Sequence, residues 1–229
     1  MVNKFDVIIT GSEGVIGKDV SKFLKKTKKL NVLCLDLVLG HDLNDEAWTK
    51  EFFKENKADS LINLFALNEH ITDNQNLNKS LHDFPLSEIN KFLETNITSL
   101  FSVCRNFSFN NSKGSIINFS SIYGLTPPKL ELYEGSLKHV GYCVSKAGVI
   151  ALSEYLATIL APNFRVNTIA PGGILSKQSD NFINRYSSYC PMGRMGVQSD
   201  IFGILELLIS NNSSYITGET FRVDGGWAI

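Results

Sequence analysis

The chain has 229 residues, 43% of them hydrophobic and 20% charged, with a mean hydropathy of −0.01: the profile of an ordinary soluble globular protein long enough to bury a full core. A formal net charge of −1 and a pI near 6.4 give no global electrostatic case for a nucleic-acid or membrane-surface partner. No run approaches the roughly eighteen apolar residues of a membrane helix, and the N-terminal MVNKFDVIITGSEG lacks the length and cleavage site of a signal peptide. Cys34, Cys104, Cys143 and Cys190 are far apart and form no CxxC pair. A reducing, cytoplasmic setting is therefore expected, and collagen-like, coiled-coil, disulfide-scaffold, membrane and disordered classes are excluded.

Short apolar, β-branched runs alternate with longer amphipathic stretches. Phe5 to Thr10 reads as a buried strand and Val15 to about Lys26 as a helix, with Val15, Ile16, Val20, Phe23 and Leu24 on one side. Lys25, Lys26, Lys28 and Lys29 close that helix, where cations suit the negative end of the dipole, so they read as a solvated face. Asn31 to Asp36 is a second strand, Ala47 to Glu55 a short helix, and Ser60 to Phe65 a third strand. Asn68 to Pro85 is polar and loop-like. A long helix follows from Leu86 to about Asn106, then a strand from Ser115 to Phe119. Gly124 to Val140 carries a Pro pair and a Gly and reads as a loop. Tyr142 to Leu160 is a strong helix, and Arg165 to Ile169, a helix around Ile201 to Leu208, and Thr220 to Val223 complete the series. This alternation implies right-handed βαβ units and a mostly parallel sheet covered on both faces. With no linker and no repeat, residues 1–229 form one α/β, doubly wound Rossmann-type domain of about seven strands.

Thr10-Gly11-Ser12-Glu13-Gly14-Val15-Ile16-Gly17 sits where the first strand hands over to the first helix. Gly11 permits a tight turn, Gly14 lets backbone approach a pyrophosphate, and Gly17 lets helix and strand pack closely, with the helix N-terminus facing the phosphates. Asp36 follows nineteen residues beyond Gly17, at the end of the second strand. That context is what the dinucleotide fingerprint requires. A carboxylate there accepts hydrogen bonds from the adenosine ribose and repels a 2′-phosphate, favouring NAD over NADP. The competing reading is glycines for a tight turn alone and a surface acid. Tyr142 and Lys146 are four apart on one helix face, an arrangement in which an ammonium, helped by a cationic nicotinamide ring, lowers a phenol normally titrating near pH 10. Taken alone, the pair is common.

Further segments extend the pattern: HDLND with Asp42 and Leu43, INLFA with Asn63 and Ala66, ETNITSLF with Asn96, SIINFSSIYG with Ser121, GYCVSKAG with Tyr142 and Lys146, VNTIAPGGI with Pro171, Gly172 and Ile174, and SSYITGETFRVDGGW. In this order they resemble the short-chain dehydrogenase/reductase family over nearly the whole chain. The resemblance implies a catalytic set of Ser121, Tyr142, Lys146 and Asn96. Tyr142 exchanges the proton, Lys146 binds the nicotinamide ribose, Ser121 orients the substrate oxygen, and Asn96 holds a relay water. It implies cofactor contacts at Thr10, Gly11, Gly14, Val15, Ile16, Gly17, Asp36, Asp42, Leu43, Asn63, Ala66, Tyr142, Lys146, Pro171, Gly172 and Ile174. It also implies a homo-oligomer, dimer or tetramer, formed through Leu86–Asn106, Tyr142–Leu160 and the C-terminal VDGGWAI.

Departures locate the specificity. The turn is TGxxGxxG, a form more typical of the family's larger sugar-nucleotide members. Leu64, Phe65 and Ala66 stand where the family has Asn-Ala-Gly, so only Asn63 transfers by identity. Ser121 and Tyr142 are twenty-one apart, wider than the family spacing, so an insertion near 124–140 borders the active site. It offers a rival, Tyr133, but position 137 is leucine rather than lysine. Glu131, Tyr133, Glu134, Lys138 and His139 either contact a hydroxylated ligand or form a solvated loop. The IYG…P…YEG pattern resembles a subset linked to bacterial surface-sugar biosynthesis. Residues 175–198 are polar where the family has a substrate lid, and Arg185 or Arg194 there either binds a substrate anion or serves the surface. His41, His70, His82 and His139 show no metal-ligand spacing, so no metal is expected.

The leading expectation is an NAD-dependent oxidoreductase interconverting an alcohol and a carbonyl on a small polar substrate of sugar type. The alternatives are a reductase of carrier-linked 3-oxoacyl groups, or a non-catalytic NAD-binding scaffold.

Overall fold

The computed structural model describes residues 2–68, 80–133 and 135–229. Among the described residues, six strands form one wholly parallel sheet: β1 (Asn3–Thr10), β2 (Val32–Leu35), β3 (Asn56–Asn63), β4 (Gly114–Phe119), β5 (Phe164–Pro171) and β6 (Thr220–Val223), in the order β2-β1-β3-β4-β5-β6. This accords with the expected parallel sheet of about seven strands. After β2 the chain makes a 3-10 turn at Leu37–Leu39 and enters a helix at Glu46, leaving no run for a strand beyond β2.

The helices are α1 (Gly17–Lys22), α2 (Glu46–Glu55), α3 (Leu86–Leu93), α4 (Ser99–Asn110), α5 (Val140–Leu160), α6 (Asp180–Tyr189) and α7 (Phe202–Ile209). Strand residues alternate between two cores, as the pleat requires. Ile8, Leu61, Ile116 and Val166 pack with Phe53, Val103, Phe107 and Leu156 of α2, α4 and α5. Val7, Ile9, Ile62, Ile117 and Ile169 pack with Val20 of α1, with Leu24 just beyond it, and with Leu205 and Leu208 of α7. Burial on both faces explains why the strands read as continuous apolar runs.

Three elements differ from expectation. The long helix expected over Leu86–Asn106 is α3 and α4 joined by a π turn, Glu94–Thr98. The loop-like 124–140 contains a 3-10 turn, Leu130–Tyr133; the expected loop 68–85 falls largely outside the described residues, as do His70 and Glu134. The polar stretch after Ile174 contains α6, begun by Ser179, whose hydroxyl accepts from Phe182 N at 3.4 Å. Its apolar stripe is only Phe182, Ile183 and Tyr186, too narrow to stand out among polar neighbours.

α5 is 21 residues long with a mean hydropathy of 1.4, long and apolar enough by those measures to cross a bilayer. Its buried face carries Ser145, Lys146 and Ser153, and it packs on β5 and α3 as a core helix of the α/β layer.

Candidate active site

A cavity of about 1160 Å³ runs along the carboxyl ends of the strands, from the glycine turn after β1 to α6. This is where an open parallel sheet places its ligand crevice. Gly11 (φ +68°), Gly14, Val15, Ile16 and Gly17 line one end, with Ala66, Pro171, Gly172 and Ile174 further along. Two of the glycines are demanded by the chain itself. A Cβ on Gly11 would lie 2.4 Å from Phe65 N, and one on Gly17 would lie 2.1 Å from Gly11 O. Gly14 is different: its Cβ would meet only Gly11 O, at 3.4 Å. Glycine at 14 therefore leaves bare a wall that the fold does not need bare. The Ser12 hydroxyl beside it is buried with no partner among the described residues, and no side chain caps α1. The turn thus fits a phosphate-bearing dinucleotide.

Other residues expected at the cofactor stand behind this wall. Thr10, Asn63 and Asn118 are paired across β1, β3 and β4, which sets their side chains in a row. Thr10 Oγ1 donates to Asn63 Oδ1 at 3.0 Å, Asn63 Nδ2 to Asn118 Oδ1 at 2.9 Å, and Asn118 Nδ2 to Ser153 Oγ on α5 at 2.9 Å. Thr10 and Asn63 hold the strand ends rather than line the cavity. Asp36 is half-buried, and its carboxylate accepts from Glu13 N at 2.8 Å and Val38 N at 3.1 Å. It ties β2 to the glycine turn and brings Glu13, which sequence reasoning passed over, beside it. Asp42 is exposed and accepts from Asn44 N at 2.9 Å, while the Leu43 side chain is buried in the core.

Ser121, Tyr142 and Lys146 meet at the middle of the cavity. Ser121 follows β4, its hydroxyl accepts from Tyr123 N at 3.2 Å, and it shares a hydrogen bond with the Tyr142 hydroxyl. Lys146, one helical turn beyond Tyr142, is buried and donates to Phe119 O at 2.8 Å, with its ammonium 5.8 Å from the Tyr142 ring centre. Burial pushes Lys146 down to about 8 and Tyr142 up to about 12, the latter opposed by the Ser121 bond. In the chain itself desolvation therefore dominates, and what opposes it is the Ser121 bond rather than the lowering expected from Lys146.

Asn96 sits in the π turn, a distortion that turns its side chain inward. Its amide accepts from Leu67 N at 2.7 Å and donates to Leu67 O at 3.1 Å and Ser145 Oγ at 2.9 Å. It clamps the segment after β3 to α5, next to Lys146.

At the far end Tyr123, Leu132, Tyr133, Phe182, Tyr186 and Met195 form an aromatic wall. The rival Tyr133 lines the cavity, but its hydroxyl donates to Tyr123 Oη at 2.5 Å and burial pushes its phenol far above the usual range. Tyr186 was not legible as a site residue. Its hydroxyl accepts from Gly173 N at 2.6 Å, and its ring stacks on Trp227 at 5.6 Å. The only sequence signal was its helical spacing from Phe182. Arg185 lines the cavity and donates to Glu131 O at 3.1 Å, linking the expected lid to the insertion. Arg194 is not among the cavity-lining residues and makes a two-pronged ion pair with Asp200 at 2.7 and 2.9 Å. Of the insertion's polar candidates, Lys138 lines the cavity, His139 is buried, and Glu131 contributes its carbonyl.

Comparison with known proteins places this geometry. The family model described as Enoyl-(Acyl carrier protein) reductase matches residues 14–228. A 3-oxoacyl-(acyl-carrier-protein) reductase from Chlamydia muridarum is 30% identical over 253 aligned positions, covering 100% of this chain and 98% of that protein. A post-translational flagellin modification protein A from Campylobacter coli is 42% identical over 121 residues, 52% of this chain and 47% of that protein. The chain thus spans about half the length of that relative. A solved short-chain dehydrogenase from Leptospira borgpetersenii, with bound NAD+, superposes with a TM-score of 0.85 at 30% identity, covering 100% of this chain and 94% of that one. The chain belongs to the short-chain dehydrogenase/reductase family and is an oxidoreductase of the NAD(P)-binding Rossmann fold.

Proposed function

We propose that this oxidoreductase interconverts an alcohol and a carbonyl on a small polar substrate of sugar type, using NAD. The observation that carries the reading is the meeting of Ser121, Tyr142 and Lys146 in one cavity whose other end is the bare Gly14 wall. NAD supplies hydride acceptance or donation there when bound. Gly11, Gly14, Val15, Ile16 and Gly17 hold its phosphates, while Ala66, Pro171, Gly172 and Ile174 border its nicotinamide half. Tyr142 moves the proton at the substrate oxygen, Ser121 orients that oxygen, and Lys146 binds the ribose and steadies the ionised tyrosine. Asn96 holds the chain around Lys146 in register. Asp36 puts negative charge at the ribose end, against a 2′-phosphate, which favours NAD over NADP.

The sugar class is supported by the hydroxyl-bearing aromatic wall of Tyr123, Tyr133 and Tyr186 and by the flagellin-modifying relative. The insertion at 124–140 and a lid at 175–198 close the substrate end of a single domain. Val144, Tyr155 and Ile159 of α5 and Phe101 and Phe109 of α4 are exposed, a set that fits a subunit interface in a homo-oligomer. A second reading, reduction of carrier-linked 3-oxoacyl groups, is favoured by the full-length likeness to the chlamydial reductase. Following nicotinamide absorbance with NAD+ and NADH on sugars and polyols, and with NADPH on 3-oxoacyl thioesters, separates the two. Turnover of sugars with NAD+, lost in Tyr142→Phe, supports the first reading; turnover confined to 3-oxoacyl thioesters and NADPH overturns it. No turnover of either beside intact NADH binding moves the scaffold reading to the front.

A further inference from the structure

We propose that Lys138, the last residue of the insertion before the α5 cap, tunes the charge of Tyr142 by laying its ammonium on the face of the phenol ring. This rests on the reading of Tyr142 as the acid/base. The Lys138 Nζ stands 4.4 Å from the ring centre, closer than the 5.8 Å of Lys146. A cation over an aromatic face is attracted to it, and the attraction grows when the hydroxyl ionises and the ring gains negative charge. Lys146, the cation the family pattern assigns to the tyrosine, is buried and bonded to Phe119 O, and desolvation draws its proton off near pH 8. Lys138 is only half-buried, lines the cavity and also donates to Asn68 Oδ1 at 2.7 Å.

The chain places Lys138 there through its neighbour. His139 caps α5, its Nδ1 accepting from Gly141 N at 3.0 Å, and its Nε2 lies 3.3 Å from Glu88 Oε2. The imidazole stacks on Phe92 at 4.4 Å and meets Phe84 edge-on at 4.8 Å. A Cβ at Gly141 would come within 2.9 Å of Phe92 Cδ2, so the cap closes only around glycine. The end of the insertion is thereby pinned to the helix, and the residue before the cap is carried over Tyr142. Its field also reaches the adjacent Cys143, whose thiol it pulls downward against burial.

The groups facing Tyr142 are Ser121, Cys143, Tyr123 and Tyr133, with His139 and Glu88 beyond Phe92. Among the described residues, Lys138 and Lys146 are the cations set over its ring.

The test compares Lys138→Met and Lys138→Arg with the unaltered protein, each paired with its Tyr142→Phe counterpart. The phenolate absorbance difference within each pair, titrated with NAD+ present, reports Tyr142 ionisation apart from turnover. In Lys138→Met that titration and the acid limb of the pH-rate profile for alcohol oxidation are expected to move up by about one unit. Turnover below the limb falls roughly tenfold, while NADH affinity stays within about twofold. Lys138→Arg restores both to within about threefold, because it keeps the charge. An unmoved titration and limb in Lys138→Met, or an arginine variant as poor as the methionine one, overturns this inference alone. Undiminished turnover in Tyr142→Phe overturns the acid/base reading itself, and this inference with it.

Discussion

Around the glycine turn the cavity wall is backbone, fixed by packing so tight that Gly11 and Gly17 admit no Cβ. At the opposite end the wall is side chains, Tyr123, Tyr133, Phe182 and Tyr186, brought by 3-10 turns at Ile122–Gly124 and Leu130–Tyr133 and by α6 from segments with no strong periodicity. The first end suits a ligand that many chains share, recognised through main-chain groups and a turn. The second end can be rebuilt one side chain at a time without touching the sheet. Between them Tyr142 and Lys146 stand on α5, a helix anchored to β5 and capped by the insertion itself.

The comparison breaks most visibly at the junction. Tyr142→Phe is expected to lower turnover by about 10² to 10⁴-fold, the range of general acid–base catalysis, with NADH affinity within about twofold by calorimetry. Equal losses in both would mean that Tyr142 holds the cofactor end rather than the chemistry.

The glycine end is probed by two substitutions of the same size. Gly17→Ala drives a methyl into Gly11 O and is expected to cost about 3 kcal/mol in urea-unfolding stability. Gly14→Ala meets no such wall and is expected to leave stability within about 0.5 kcal/mol, yet weaken NADH roughly tenfold. Equal effects on stability would erase the distinction between a glycine kept for the fold and one kept for a ligand.

Lys146 gives a pH-dependent test. Its folded value, near 8, lies below the ordinary lysine value of 10.5 because burial penalises the ammonium. Below about pH 8 both folded and unfolded chains hold the proton, so the folded state carries the full desolvation cost. As pH rises from about 8 to 10.5 the unfolded chain holds more protons, and this cost is relieved. Lys146→Met is therefore expected to be more stable than the unaltered protein by about 2 kcal/mol at pH 7, after allowing for the lost bond to Phe119 O. The advantage shrinks by pH 10, read as the difference between the two unfolding curves. A difference independent of pH contradicts the assignment. The smallest effect is at the aromatic end. Tyr186→Phe removes the acceptor for Gly173 N and is expected to cost about 1 kcal/mol in stability and to raise KM for substrate more than for NADH.

The same division governs what the sequence made legible. The six strand runs, the glycine turn and the Tyr142–Lys146 pair were readable because local rules act alone there: buried parallel strands are apolar throughout, and positive φ needs glycine. Thr10 and Asn63 were expected at the cofactor, but they stand behind the cavity wall, and their work in a lateral chain with Asn118 follows from strand register, which one sequence does not reveal. Tyr186 and α6 escaped because a three-residue apolar stripe in polar surroundings carries little periodic signal. Lys138 was visible only as one polar candidate among several, since its place over Tyr142 depends on the tertiary packing of His139 between two phenylalanine rings.

The central claim is a dinucleotide site that reads the ribose through Asp36 and serves Tyr142. Calorimetric titration of the protein with NADH and, separately, NADPH tests it most directly. The expected result is NADH binding at least tenfold tighter, a gap of about 1.4 kcal/mol. Tighter binding of NADPH would contradict the ribose-end reading, and binding of neither would contradict the site.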